Sequence, residues 1–219
     1  MRARVSVGAT VLVVALLALS QVLLPRLAAR SLRGHLAHSG EVEHVEVHAF
    51  PALKLIGGRA DRVEVRMRSY RGSSGEVASE LGKSAKAGDL DFSAAMLSTG
   101  LLTLRDAKLR KRGTELTAEG RVTEADLRAA LPPGFDVRPV TADADGLVLE
   151  GSATVLGVNV RLQARVHAAG GGIVVEPQGL PLAGIATLTV FSDRRIEVQG
   201  VGARSVAGGF LVMVRGKLR

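Results

Sequence analysis

Hydrophobic and polar positions follow two different periods along this chain. Val5 to Pro25 carries no charged side chain, Val11 to Leu19 is almost wholly aliphatic, and Arg2 and Arg4 stand in front of the run. A basic leader followed by an apolar stretch is the layout of a secretory signal, and Ala18-Leu19-Ser20 offers small residues for cleavage before Gln21. The same uncharged run matches the roughly 20 residues needed to span a bilayer, although Arg26, Arg30 and Arg33 beyond it compete with Arg2 and Arg4 for the inner side. The pattern therefore predicts a targeting segment or membrane anchor over residues 1–34. Leu27 to Ala37 continues it as an amphipathic helix, and one domain follows over residues 35–219.

From Gly40 onward the period becomes two. Val63, Val65 and Met67 share one face of a strand while Arg62, Glu64, Arg66 and Arg68 share the other, as a half-buried strand requires. Val45 and Val47 predict a shorter strand before it, with Glu46 and His48 pointing away. Residues 69–88, rich in Gly, Ser, Lys and Glu, predict a loop or a weak helix. Alternation resumes at Leu90-Asp91-Phe92, then at Leu102 with Leu104, Ala107 with Leu109, and Leu116 to Val122, with Arg112-Gly113 as a turn. Thr123-Glu124-Ala125-Asp126 is a capping box with Asp in place of Glu, which starts a helix carrying Leu127 and Leu131 that Pro132-Pro133-Gly134 ends.

The clearest hairpin signal joins Leu147, Leu149, Gly151, Ala153 and Val155 to Val158, Val160, Leu162, Ala164 and Val166. Asp143 and Asp145 ahead of Gly146 read as turn residues. Gly170-Gly171-Gly172 turns the chain into Ile173 to Glu176, and Leu180 to Ala186 reads as a loop or one helical turn. Ile196 with Val198, and Phe210 with Val212 and Val214, supply the last strands. Many short strands, Gly-rich turns and one or two helices predict an α+β, β-rich fold built on a curved antiparallel sheet. The apolar face is made of modest residues, which fits either a small-residue core or a sheet enclosing an apolar groove.

Composition changes this picture little. Five arginines precede the first acidic residue, Glu41, and setting them aside leaves 24 of the 29 basic residues against 21 acidic ones. With one Tyr and no Trp, the domain lacks the dense basic field and stacking platforms of nucleic-acid modules, so no nucleic-acid partner is expected. The absence of Cys removes disulfides, thiolate metal sites and a lipid-modified cysteine anchor.

Catalytic and cofactor motifs fail one by one. Gly82-Lys83-Ser84 ends like a phosphate loop, but Val77 stands where its first glycine belongs. Gly200-Val201-Gly202 begins like a dinucleotide fingerprint, meets Ser205 at the third glycine, and reads as a β-turn. His44 and His48 on a strand lie about 13 Å apart at ~3.3 Å per residue, too far to share a metal ion, so no metal site and no cofactor are expected. Arg105, Lys108, Arg110, Lys111 and Arg112 form the strongest basic cluster, either a solvated hairpin end or a surface for anionic lipid headgroups at about 1 kcal/mol per cation.

The segment Ala49-Phe50-Pro51-Ala52-Leu53-Lys54-Leu55-Ile56-Gly57-Gly58-Arg59, followed by Val63-Glu64-Val65, resembles the opening of the LmeA-like phospholipid-binding family of actinobacterial cell-envelope proteins. The downstream order is similar too: a strand and short Asp-Leu helix over Gly120 to Leu131, an Asp145-Gly146 hairpin, and the export segment in front. The resemblance covers roughly residues 20–219 and rests on short apolar motifs. It implies an elongated β-rich fold enclosing an apolar lipid-binding cavity, on the outer side of the plasma membrane. It also implies a phospholipid ligand, with phosphatidylinositol a candidate, and a supporting role in envelope lipoglycan assembly; it carries no catalytic residues. Phe50, Pro51, Leu53 and Gly58 match its pattern, Phe50 and Leu53 as core or cavity lining.

Three readings follow. The first is a non-enzymatic phospholipid-binding or transfer protein, its cavity lined by Val63, Val65, Met67, Phe92, Leu147, Leu149, Val160 and Leu162 along with Phe50 and Leu53. Headgroups would meet Arg105, Lys108, Arg110, Lys111 and Arg112 at its mouth. The second is a membrane-anchored envelope scaffold that binds another protein, favoured by a solid core. The third is an enzyme acting on glycolipid, favoured by a cleft holding buried carboxylates from among Glu115, Glu119, Asp143 and Glu150.

Overall fold

A computed structural model describes residues 20–100, 102–129, 135–143, 146–155, 158–178 and 187–219. The first described element is helix α1, residues 20–36. Its inward positions Leu32 and Leu36 pack against the strands that follow, so the domain's apolar cover begins within this helix. Strands β1 (Gly40–His48) and β2 (Ala60–Arg71) pair antiparallel, joined through a 3-10 turn, Ala52–Gly57, that Gly58 ends at φ +69°.

Helix α2 (Ser74–Lys83) then crosses over to β3 (Ala87–Ser98), which pairs parallel with β2. The expected sheet is thus mixed at one pair, because a helix between two strands lets the second return in the same direction. Ser73 makes this helix firm. Its hydroxyl accepts from the Glu76 amide while the Glu76 carboxylate accepts from the Ser73 amide.

Strands β4 (Thr103–Arg112) and β5 (Glu115–Thr123) form the predicted hairpin, with Gly113 at φ +58° in its turn. Helix α3 (Glu124–Ala129) follows, with Thr123 and Asp126 exchanging the predicted capping bonds. Leu131 and Pro132-Pro133-Gly134 lie outside the described residues.

A second, five-stranded sheet comes next: β6 (Phe135–Asp143), β7 (Gly146–Val155), β8 (Val158–Ala169), β9 (Gly172–Gln178) and β10 (Leu188–Phe191). The predicted β7–β8 hairpin holds in register from Leu147↔Val166 to Val155↔Val158. Neither β6 nor β10 was expected from the sequence, and the segment Leu180 to Ala186 lies outside the described residues.

The chain then returns to the first sheet with β11 (Ile196–Val206) and β12 (Gly209–Leu218), and β12 pairs with β5 over its length. The result is a seven-stranded sheet in the order β1-β2-β3-β4-β5-β12-β11, with the second sheet inserted between β5 and β11 and no closed barrel. Gly200-Val201-Gly202 lies inside β11, paired with Arg215, Val214 and Met213, and not in a turn. β11 contacts β6, β7, β8 and β9, so it lies across the strands of the second sheet.

One face of the large sheet is apolar and covered in two halves. Leu36, Val65, Met67, Tyr70 and Ala94 form a cluster under α1. Ala78 and Leu81 of α2 close over Leu90, Leu116, Ile196 and Leu218. At the far side, Leu147 meets Ala203 and Phe210, with Leu127, Leu149, Val166 and Val212 packed around them.

Candidate functional site

The cross-strand rows of the apolar face differ in how well they are closed. Register sets the row Leu90, Lys111, Leu116, Gly216 and Val198 side by side on β3, β4, β5, β12 and β11, and every member is buried. Two residues further along lies the row Val65, Phe92, Leu109, Ala118, Val214 and Val201; Val65 and Val201 at its two ends are buried, and the four between them keep part of their surface exposed. The third row holds Ala94 and Ala107 and, past the bulge at Asp106, Gly120, Val212 and Ala203; all but Val212 are buried. These four side chains are the less covered stretch between rows that are mostly buried. At ~4.8 Å between strands, this open strip runs for about 14 Å across the middle of the sheet.

The floor of the strip is shaped by side-chain size. Ala94, Ala107, Ala118 and Gly120 bring little volume to the centre, while Phe92 is held at one end by an edge-on contact with Tyr70, ring centroids 6.1 Å apart at 87°. At the other end, Val212 and Leu149 belong to the cluster beneath the second sheet. The four side chains of the strip are all apolar, a surface suited to hydrocarbon.

The expected cavity residues are dispersed by this arrangement. Phe92 lies in the open row, and Val63 is half-buried at the meeting of the two clusters under the helices. Val65, Met67 and Leu147 are closed into core clusters, with Leu149 at the rim of the third. Val160 and Leu162 pair with Ala153 and Gly151, and their side chains lie outside the described set. Phe50 and Leu53 are on the surface, Phe50 with 77% of its area exposed. Leu109, Ala118 and Val214 complete the row; the signal that finds them is parity with Phe92 across paired strands, which needs the pairing to be known.

The basic cluster divides by the same parity. Lys108, Arg110 and Arg112 project from the opposite, charged face, where Lys108 pairs with Glu119 at 3.1 Å and Arg112 with Asp91 at 2.7 Å. Behind the open row, that face holds a groove of about 440 Å3 bordered by Lys108, Arg110, Thr117, Glu119, Gly202, Met213 and Arg215, and also by Ala118 and Val214 of the row itself. Arg105 grips Asp126 through two bonds of 3.0 and 3.2 Å and so holds the start of α3. Lys111 alone of the five lies on the apolar face, 2% exposed, donating to the carbonyls of Ala87 and Gly88. Burial pushes its ammonium below the ordinary lysine value, against the opposing pull of Asp89. Because β4 is an interior strand of seven, no path around a near edge joins the cations of the charged face to the apolar strip.

Of the carboxylates named for a cleft, Glu115 is exposed and Glu119 pairs with Lys108, while the side chain of Asp143 lies outside the described set. Asp61, Glu80, Asp91, Asp126 and Asp193 are each held below the ordinary carboxylate value, the opposite of what a general acid needs. For Asp126 the Arg105 guanidinium is the main cause, followed by the Thr123 hydroxyl. Glu46 lies between His44 and His48, at 3.4 and 3.1 Å, all three exposed on β1. Among the described residues no group of three His, Cys, Asp or Glu side chains is placed to hold a metal ion, and no helix is long and apolar enough to cross a membrane.

Comparison with known proteins agrees with an apolar ligand. No curated protein and no solved structure matches the chain. Residues 14–205 match the sequence profile of a family described as LmeA-like phospholipid-binding, which is a lipid-binding and not a known enzyme family. With most of its length matched, the chain belongs to the LmeA-like phospholipid-binding family.

Proposed function

We propose that this protein carries a phospholipid with its acyl chains laid along Phe92, Leu109, Ala118 and Val214, between the helices and the second sheet. The observation that carries the reading is the strip of four partly exposed apolar side chains set between mostly buried rows on the apolar face. Each methylene moved from water onto such a strip contributes about 0.8 kcal/mol, so a handful of them outweighs the cost of ordering the chain. The headgroup then lies at an end of the strip, with Lys108, Arg110 and Arg112 serving the charged face independently.

The protein is exported and works on the outer side of the plasma membrane, where it hands phospholipid, phosphatidylinositol among the candidates, to the assembly of envelope lipids or lipoglycans. The uncharged run Val5–Pro25 behind Arg2 and Arg4 supports export, and the family supports the ligand class. The test is native mass spectrometry of the full chain released from mild detergent, followed by organic extraction. Phospholipid at a defined stoichiometry, displaced by added phospholipid, is the expected result. A lipid-free mass that stays unchanged after incubation with phospholipid vesicles would sink the carrier reading.

A further inference from the structure

The first two turns of α1 and the 3-10 turn Ala52–Gly57 present large apolar side chains to solvent at one place. Val22, Leu23 and Leu27 are exposed on α1, and Phe50, Leu53 and Ile56 are exposed on or beside the 3-10 turn, Ile56 with 73% of its area open. The two elements are held together, since the Ala52 amide donates to the Gln21 side-chain carbonyl at 3.1 Å. The loop itself is braced: Asp61 accepts from the Phe50 amide at 2.6 Å and from the Lys54 ammonium at 2.9 Å. These side chains therefore stand out from a fixed scaffold and do not fold back onto the apolar face of the sheet.

Isolated exposed leucines are ordinary, but six large apolar side chains on two joined elements form a surface that a soluble domain rarely keeps uncovered. The charged side chains on these two elements are all cationic. On α1, Arg26 and Arg30 are exposed one turn and two turns beyond Val22, on the same side of the helix, and Arg59 follows the loop; none of the three has an ion pair among the described residues. Asp61, the carboxylate that braces the loop, is already paired with Lys54. Apolar tips ringed by unpaired arginines are complementary to one occupant above others, an anionic bilayer surface, which receives the tips below its headgroups and pairs the arginines with phosphates. The uncharged run Val5–Pro25 continues in sequence into the first turns of α1 and supplies Val22 and Leu23 of the patch.

We infer that Phe50, Leu53 and Ile56, with the outer side of α1 beside them, insert into the surface of a membrane containing anionic phospholipid and dock the lipid-binding domain there. The inference rests on the phospholipid-binding reading and adds the surface through which lipid is exchanged. It also gives Phe50 and Leu53 of the segment Phe50-Pro51-Ala52-Leu53 a role outside the core, while Ala52 is buried.

The chain has no cysteine, so a single introduced thiol reports its own position without background. At Gly57 an added side chain meets open space, and Gly57→Cys leaves all six apolar residues in place. The full chain carrying an environment-sensitive fluorophore at this position is mixed with vesicles of phosphatidylcholine and phosphatidylglycerol, or of phosphatidylcholine alone. A label at Ser93→Cys, on the charged face of β3, is the comparison. With anionic vesicles, the label at 57 is expected to shift to the blue, to be quenched by a lipid-borne nitroxide, and to lose several-fold in accessibility to aqueous iodide, while the label at 93 stays unchanged. Phe50→Ser with Ile56→Ser, in the Gly57→Cys background, is expected to abolish the blue shift. A label at 57 that iodide reaches as freely as the one at 93, in chains that float with the vesicles, overturns the docking surface, as does failure to associate at all. Lipid carried by the same chains is measured separately by mass, so loss of insertion with lipid retained removes this inference alone, and insertion without bound lipid removes the carrier reading alone.

Discussion

Leu109 and Lys108 are adjacent in β4 and serve opposite sides of the large sheet. Leu109 sits in the open apolar row between Phe92 and Ala118, and Lys108 pairs with Glu119 on the charged face. A strand alternates its side chains by construction, so the division is fixed by the backbone. Two expectations that sequence reading sets side by side, an acyl-lined cavity and cationic headgroup contacts at its mouth, are thereby placed on different surfaces.

Filling the open row should remove lipid. Ala118→Phe puts a large ring where the row is shallowest, at a folding cost of about 1–3 kcal/mol if neighbours must shift. We expect retained phospholipid to fall about tenfold or more, equivalent to about 1.4 kcal/mol, read by lipid mass per protein after vesicle exchange. Lys108→Ala combined with Arg110→Ala should leave lipid retention unchanged, and should alter stability by no more than about 1 kcal/mol, because exposed ion pairs contribute little.

Lys111 should behave as an interior residue. Lys111→Glu sets a carboxylate against the Ala87 and Gly88 carbonyls and should cost about 3–5 kcal/mol, as an uncompensated buried charge does. Lys111→Met keeps the apolar stem and should cost only about 1–3 kcal/mol, for carbonyls left without their donor. The folded chain holds the Lys111 ammonium below its ordinary value, so just beneath that value the unfolded chain binds more protons and stability rises with pH. Urea titrations at neutral and alkaline pH should show this rise, and Lys111→Met should lack it.

The start of α3 supplies an acid-sensitive element. Asp126 is held below the ordinary carboxylate value, by Arg105 first and by Thr123 second. Its stabilisation is therefore complete above the ordinary carboxylate value and is lost as pH falls through the lower value of the folded state. Asp126→Asn should flatten the acid limb of the stability curve. Thr123→Ala should cost about 1 kcal/mol at neutral pH, from loss of the cap.

Local patterns made much of this fold legible and long-range pairing hid the rest. The Leu147–Val155 and Val158–Val166 alternation, the Thr123 cap and the Arg112-Gly113 turn each depend on neighbours within a few residues. The Ser73 cap of α2 was equally readable from Ser73 and Glu76, and it decides residues 69–88, expected as a loop or a weak helix, in favour of the helical crossover that makes β2 and β3 parallel. The β5–β12 pairing joins residues nearly a hundred positions apart, and no local signal announces it. Without it, Ala118 and Val214 cannot be set beside Leu109, and the open row is invisible. Lys111 hid for another reason, since its neighbours Arg110 and Arg112 make a continuous cationic run that conceals its shared parity with Leu109.

Light-activated crosslinking at two adjacent positions tests the central claim most directly. A benzophenone side chain is placed at Leu109 or at Lys108 of the full chain, irradiated with bound phospholipid, and the protein mass is read. A phospholipid adduct at position 109 and none at 108 is the predicted result. Adducts at 108 in equal yield, or none at 109 in chains that carry lipid, would contradict an acyl site on the apolar face of the large sheet.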